Sequence, residues 1–164
     1  MQIRRVVTGQ LANGASVFVS DDVLADDQFG QLWGSDDAVA LPTGGTEPSW
    51  SGFFPPARGF RFLVWMLPAG PIAAEPGALD AVNEKFPGLL DAMEVEHPGM
   101  HTTDTIDFDV VLSGEVYLEL DDGAEVRLTA GDCVIQNGTR HAWHNRGDEP
   151  ATVASALVGA PRRE

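Results

Sequence analysis

The chain has 164 residues, 43% hydrophobic and 21% charged, which is the composition of one ordinary globular domain with a core of its own. Its formal charge of −15 excludes nucleic acid and anionic membrane surfaces as partners, because phosphates would be repelled. One cysteine, Cys133, rules out an internal disulfide, and no apolar run reaches the ~20 residues needed to cross a bilayer.

In chain order, residues 3–8 and 15–19 are β-branched runs around Asn13-Gly14, a pair that tolerates positive φ, and predict a hairpin. Met1-Gln2-Ile3-Arg4-Arg5 is basic but no apolar signal core follows, so a cytoplasmic location is the expectation. Residues 21–56 are rich in Asp, Gly, Pro and Ser and read as a long connection with one or two short strands, pinned by Trp33, Trp50, Phe53 and Phe54. Its acidic pairs, Asp21-Asp22, Asp26-Asp27 and Asp36-Asp37, read as solvated turns. Residues 60–67 predict a strand that is apolar on both faces and therefore buried on both, against the interior and against a dimer partner or the N-terminal segment. Leu79, Val82, Phe86, Leu89, Leu90 and Met93 recur at helical intervals over 78–94, with Pro87 a break. From Val110 onward short strands (110–112, 115–120, 125–128, 133–136, 141–145 and 151–158) alternate with Gly/Asp turns, the signature of a β-sandwich or barrel. The fold expected is all-β, with one short helical segment, in a single domain over 1–164.

The four histidines fall in two clusters, His97 with His101 and His141 with His144. Side chains alternate along a strand, so Thr103, Thr105, Asp107 and Asp109 share a face with His101, and Trp143 and Asn145 share one with His141. His144 falls on the face opposite His141 and reads as a surface or dimer-contact residue, and His97, in a turn beside Pro98-Gly99, is set outside the site. Cys133 shares the side of Ile135 and reads as a core thiol.

The spacing His101-x-Thr103-x3-Asp107-x6-Gly114 resembles the first cupin motif, with Thr and Asp standing where the motif has His and Glu. Gly131-Asp132, His141 and Asn145 resemble the second, with Asn137-Gly138 in place of its Pro-x-Gly turn. The likeness covers about 101–158, and is greatest to small single-domain cupins that accompany secondary-metabolite genes. It implies an antiparallel cupin β-barrel and, position by position, a divalent metal (Fe, Zn, Ni or Mn) held by His101, Asp107 and His141. A metal-free His/Asp pair doing acid–base work, as a dehydratase, isomerase or cyclase, stands beside that reading. So does a non-catalytic barrel enclosing a small ligand. An enzyme is favoured over a binder, with His141, Asp107 and His101 catalytic and Thr103, Thr105, Trp143 and Tyr117 touching an aromatic or polyketide-like molecule. A homodimer is expected.

Overall fold

The computed structural model describes residues 2–24, 29–70 and 78–163. The chain runs β1 (Ile3–Gln10), β2 (Ser16–Leu24), β3 (Phe29–Ser35), β4 (Phe60–Leu67), α1 (Ala78–Lys85), β5 (Thr105–Ser113), β6 (Glu115–Glu119), β7 (Glu125–Thr129), β8 (Cys133–Gln136), β9 (Ala142–His144) and β10 (Ala151–Gly159). The acidic pair Asp26-Asp27 and the side chain of Leu79 lie outside the described residues.

Strands β3-β4-β10-β5-β8 make one antiparallel sheet and β7-β6-β9 a second. Between them lies a core of Leu67, Val111, Val116, Leu118, Leu128, Ala151 and Val153, so the two sheets close as the walls of the expected β-barrel. Gly114 makes the tight turn from β5 to β6 possible. Its φ is +74°, and an added Cβ would sit 2.8 Å from the Ala151 Cα.

Beside this core Phe53, Leu63, Phe86, Leu89 and Leu157 form a second cluster. Phe29 meets Phe53 and Phe86 edge-on at 5.3 and 5.0 Å. The helix expected over 78–94 stops at Lys85, ahead of Pro87, and a single 3-10 turn follows at Leu90–Ala92. Phe86 and Leu89 thus close one side of the barrel as the sequence anticipated.

One expectation is corrected, and one buried cation was not anticipated. Strand β4 turns Arg61, Leu63, Trp65 and Leu67 toward the interior, and Arg61 is 1% exposed. Its guanidinium donates to the carbonyls of Ser35 (2.8 Å), Gly52 (2.9 Å) and Phe60 (2.9 Å) and pairs with Asp36. One cation therefore pins both ends of the 35–52 connection to the strand. Cys133 is exposed, not a core thiol: it and Ile135 lie on the outer face of β8, while Gln136 points inward. The outer face is itself apolar there, so hydrophobicity did not distinguish in from out.

Candidate functional site

The segment from His101 to Asp109 alternates as parity requires. Thr103, Thr105, Asp107 and Asp109 are buried, whereas Thr102, Asp104, Ile106 and Phe108 are exposed. His101 meets His141 through two backbone hydrogen bonds of 2.9 Å, one in each direction, and the rings lie against each other with centroids 4.1 Å apart and planes tilted by 50°. Each Nδ1 lies at a backbone carbonyl, Gly99 for His101 (3.0 Å) and Thr139 for His141 (2.9 Å). A carbonyl only accepts, so both rings carry their proton on Nδ1 and leave the Nε2 lone pair free. Burial holds both imidazoles below their usual range, and His141, further depressed by its neighbour His101, falls to about 4. At neutral pH both are uncharged bases.

The carboxyls move the other way. Burial raises Asp107 to about 7, tempered by the adjacent Thr105 hydroxyl and reinforced by Asp109. Asp109 rises to about 6, again through burial, while accepting a 2.5 Å hydrogen bond from the Ser155 hydroxyl. Ser155 in turn accepts from the Trp65 indole at 2.8 Å, and Trp65 packs edge-on against Trp143 at 5.6 Å. Trp143 faces His141 at 6.2 Å. Thr103 and Thr105 bond each other at 2.8 Å.

Three buried side-chain atoms among the described residues have no partner, Arg5 Nε under the hairpin and, in this interior, Asp107 Oδ1 and Gln136 Nε2. Asp107 and Gln136 are directly opposed across β5 and β8, so an acceptor and a donor project inward side by side. The Gln136 amide is anchored by Thr139, two residues before His141. Gly138 lets this loop approach: its φ is +61°, and a Cβ would come within 3.1 Å of the Thr103 carbonyl. Sequence reading missed Gln136, Ser155 and Trp65. Gln136 had a usable signal, a lone polar residue at the inward parity of a strand.

Not every expected residue joins this set. Tyr117 lies on the outer face of β6, between Glu115 and Glu119 and beneath the Arg146 guanidinium at 4.9 Å, so it does not line the interior. His144 is on the outside, bonded to Glu119 at 2.7 Å, and His97 is at the rim beside Glu94. A cleft of about 790 Å³ lies on that outer side, bordered by Glu94, His97, Met100, Arg140 and His144; it does not include His101, Asp107 or His141.

Three-ligand binding of one ion limits how far its donor atoms can stand apart. Ligand atoms that share one ion at ~2.0–2.2 Å stand within ~4.4 Å of one another. Among the described residues the group whose ligand atoms gather within 4.8 Å is Glu119, Glu125 and His144, and the set His101, Asp107 and His141 is not such a group. Glu125 in that outer group is already paired with Arg146 at 2.5 Å.

The family described as "Cupin domain" matches residues 91–157. Over 47 residues the chain is 51% identical to phomopsin biosynthesis cluster protein D of Diaporthe leptostromiformis, 29% of this chain and 25% of that protein. Over 45 residues it is 44% identical to oryzines biosynthesis cluster protein J of Aspergillus oryzae, 27% of this chain and 25% of that one. The matched segment thus spans about a quarter of each relative's length. Among solved structures, the cupin domain of a transcriptional regulator from Enterobacter cloacae is 20% identical with TM-score 0.41, covering 63% of this chain and 83% of that one. A conserved barrel domain protein from Salinispora arenicola is likewise 20% identical with TM-score 0.41, covering 62% and 64%. No described helix is long and apolar enough to cross a membrane. The interior histidines and carboxyls all fall between residues 91 and 157, the stretch that the cupin-domain family matches.

Proposed function

We propose that the chain is a small-molecule enzyme that moves protons inside its barrel, as a dehydratase, isomerase or cyclase of natural-product biosynthesis. His141 Nε2 is the base, with the His101 ring tilted against it, and Asp107 is the acid that protonates or hydrogen-bonds the substrate oxygen. The observation that carries the reading is Asp107 Oδ1, buried and partnerless in an interior that also holds two imidazoles with free Nε2. Base and acid are held at opposite displacements from their usual pKa ranges, which lets neutral His and protonated Asp coexist near pH 7.

Gln136 Nε2 is placed to donate to the same substrate oxygen. Trp65 and Trp143 offer flat apolar faces to an aromatic or polyketide-like body. Relatives named for biosynthesis clusters support a tailoring role. The proton transfers proposed need only these side chains.

Turnover tests this. In D2O, with a panel of aryl ketones and enones, the protein should place deuterium next to the carbonyl, read by mass spectrometry. His141→Ala should slow this by ~10²–10⁴-fold. Exchange no faster than the blank across the panel, or equal in the His141→Ala variant, refutes the reading.

A further inference from the structure

The loop between β8 and β9, residues 137–140, sets two of the interior's polar groups at once. The Thr139 carbonyl accepts from His141 Nδ1 at 2.9 Å, and the Thr139 hydroxyl donates to Gln136 Oε1, which leaves Nε2 as the free end of that amide. A shift of the loop by ~1 Å would move base and donor together, a displacement that costs up to ~100-fold in turnover.

Two arginines hold this loop. Arg140, within it, reaches out to Glu94 at 2.6 and 2.7 Å and to Asp121 at 2.7 Å. Arg162 comes from the segment after β10, where the Ala160 N–H donates to the Asp104 carbonyl at 2.9 Å. Its Nε donates to Asp104 Oδ1 at 2.6 Å, and one terminal nitrogen donates to the carbonyls of Thr103 (3.0 Å) and Gly138 (3.2 Å). Those carbonyls belong to the two segments that carry His101 and His141, which press together where Gly138 has no side chain. The ion pair with Asp104 is exposed on both sides, 52% and 62%, and contributes little by itself. The carbonyl bridge does more, because a planar guanidinium holds its acceptors at set positions.

We propose that Arg162 is a positioning residue for the interior site: by bridging the Thr103 and Gly138 carbonyls it fixes the loop, and through Thr139 the His141 ring and the Gln136 amide. Its effect on turnover rests on the proton-transfer reading above; its effect on the loop does not. Without the bridge the loop keeps its Arg140 anchor to Glu94 and Asp121, and the end nearer Gln136 is free to move. The Thr139 carbonyl then no longer holds the proton of His141 on Nδ1.

Nitrogen-15 NMR near neutral pH tests this on wild type, Arg162→Met and, as a control that breaks an exposed ion pair on the β1–β2 hairpin, Arg4→Met. Wild type and Arg4→Met should show one Nδ1–H form of the His141 ring, and Arg162→Met a mixture of both tautomers. The backbone amides of His101 and His141, each bonded to the other's carbonyl, should exchange ~10-fold faster in Arg162→Met, with the β4–β10 ladder at its wild-type rate. Deuterium placement should fall ~10–100-fold in kcat with KM nearly unchanged. Should Arg162→Met fold poorly, Arg162→Lys keeps the charge opposite Asp104 but not the planar fork, and both NMR signatures should shift in it. A folded variant in which either signature stays as in wild type overturns the proposal. So does faster exchange spread evenly over the ladder, or the same change in Arg4→Met. A wild type that places no deuterium refutes the proton-transfer reading, while the ring and amide signatures still decide the role of Arg162.

Discussion

Replacing Asp107 by asparagine keeps the side chain's shape and removes its charge, and the effect on stability depends on pH. Burial moves the carboxyl from 3.8 up to about 7, so the folded chain holds a proton that the unfolded chain has released. A raised carboxyl pKa stabilises the native state at low pH and costs stability as pH climbs through the interval between the two values. A tenfold change in proton affinity is worth ~1.4 kcal/mol, so above neutrality the ionised group costs roughly 4 kcal/mol. At about pH 5, where only the unfolded chain is ionised, the cost is about 2 kcal/mol. Asparagine escapes this cost but brings an amide with its own unmet hydrogen bond, an offset of ~1–3 kcal/mol at every pH. Relative to wild type, Asp107→Asn should therefore gain about 2–3 kcal/mol between about pH 5 and about pH 8. Urea denaturation of both proteins at each pH reads this, with the titrations of His141 and Asp109 cancelling to first order. A difference that does not change with pH, or that grows toward acid, refutes the placement of Asp107 in a dry interior.

Arg61→Met should destabilise the chain by ~3–4 kcal/mol with little change in the denaturant slope, because it strands three carbonyls and Asp36. A loss below ~1 kcal/mol would mean that the connection is held by other contacts. Elemental analysis of the purified protein should find less than about a tenth of an equivalent of Fe, Zn, Ni or Mn, with turnover unaffected by a chelator. A full equivalent that His141→Ala loses would restore the three-ligand reading.

Much of this was legible in the residues. Strands 60–67 and 133–136 lie where composition and turn residues put them, and Pro87 stops the helix for the reason prolines do. The parity of 101–109 separates four buried polar side chains from their exposed neighbours. What was not legible depends on neighbours distant in sequence. The burial of Arg61 is one such case, since the carbonyls that satisfy it come from Ser35 and Gly52. Tyr117 had a readable sign, flanked by Glu115 and Glu119 at its own parity, yet its aromatic ring was given more weight. Whether Asp107 reaches the histidines depends on side-chain length and strand placement, which motif spacing does not encode.

The most direct measurement is an NMR titration of the His101 and His141 imidazoles and the Asp107 carboxyl, with and without chelator. The account predicts that His141 remains a neutral Nδ1–H tautomer down to about pH 5 and that His101 titrates below its usual range, while Asp107 titrates near 7, unchanged by chelator. Imidazoles that titrate near their usual 6.5 beside an Asp107 already ionised at about 4, or resonances that shift on chelation, would contradict it.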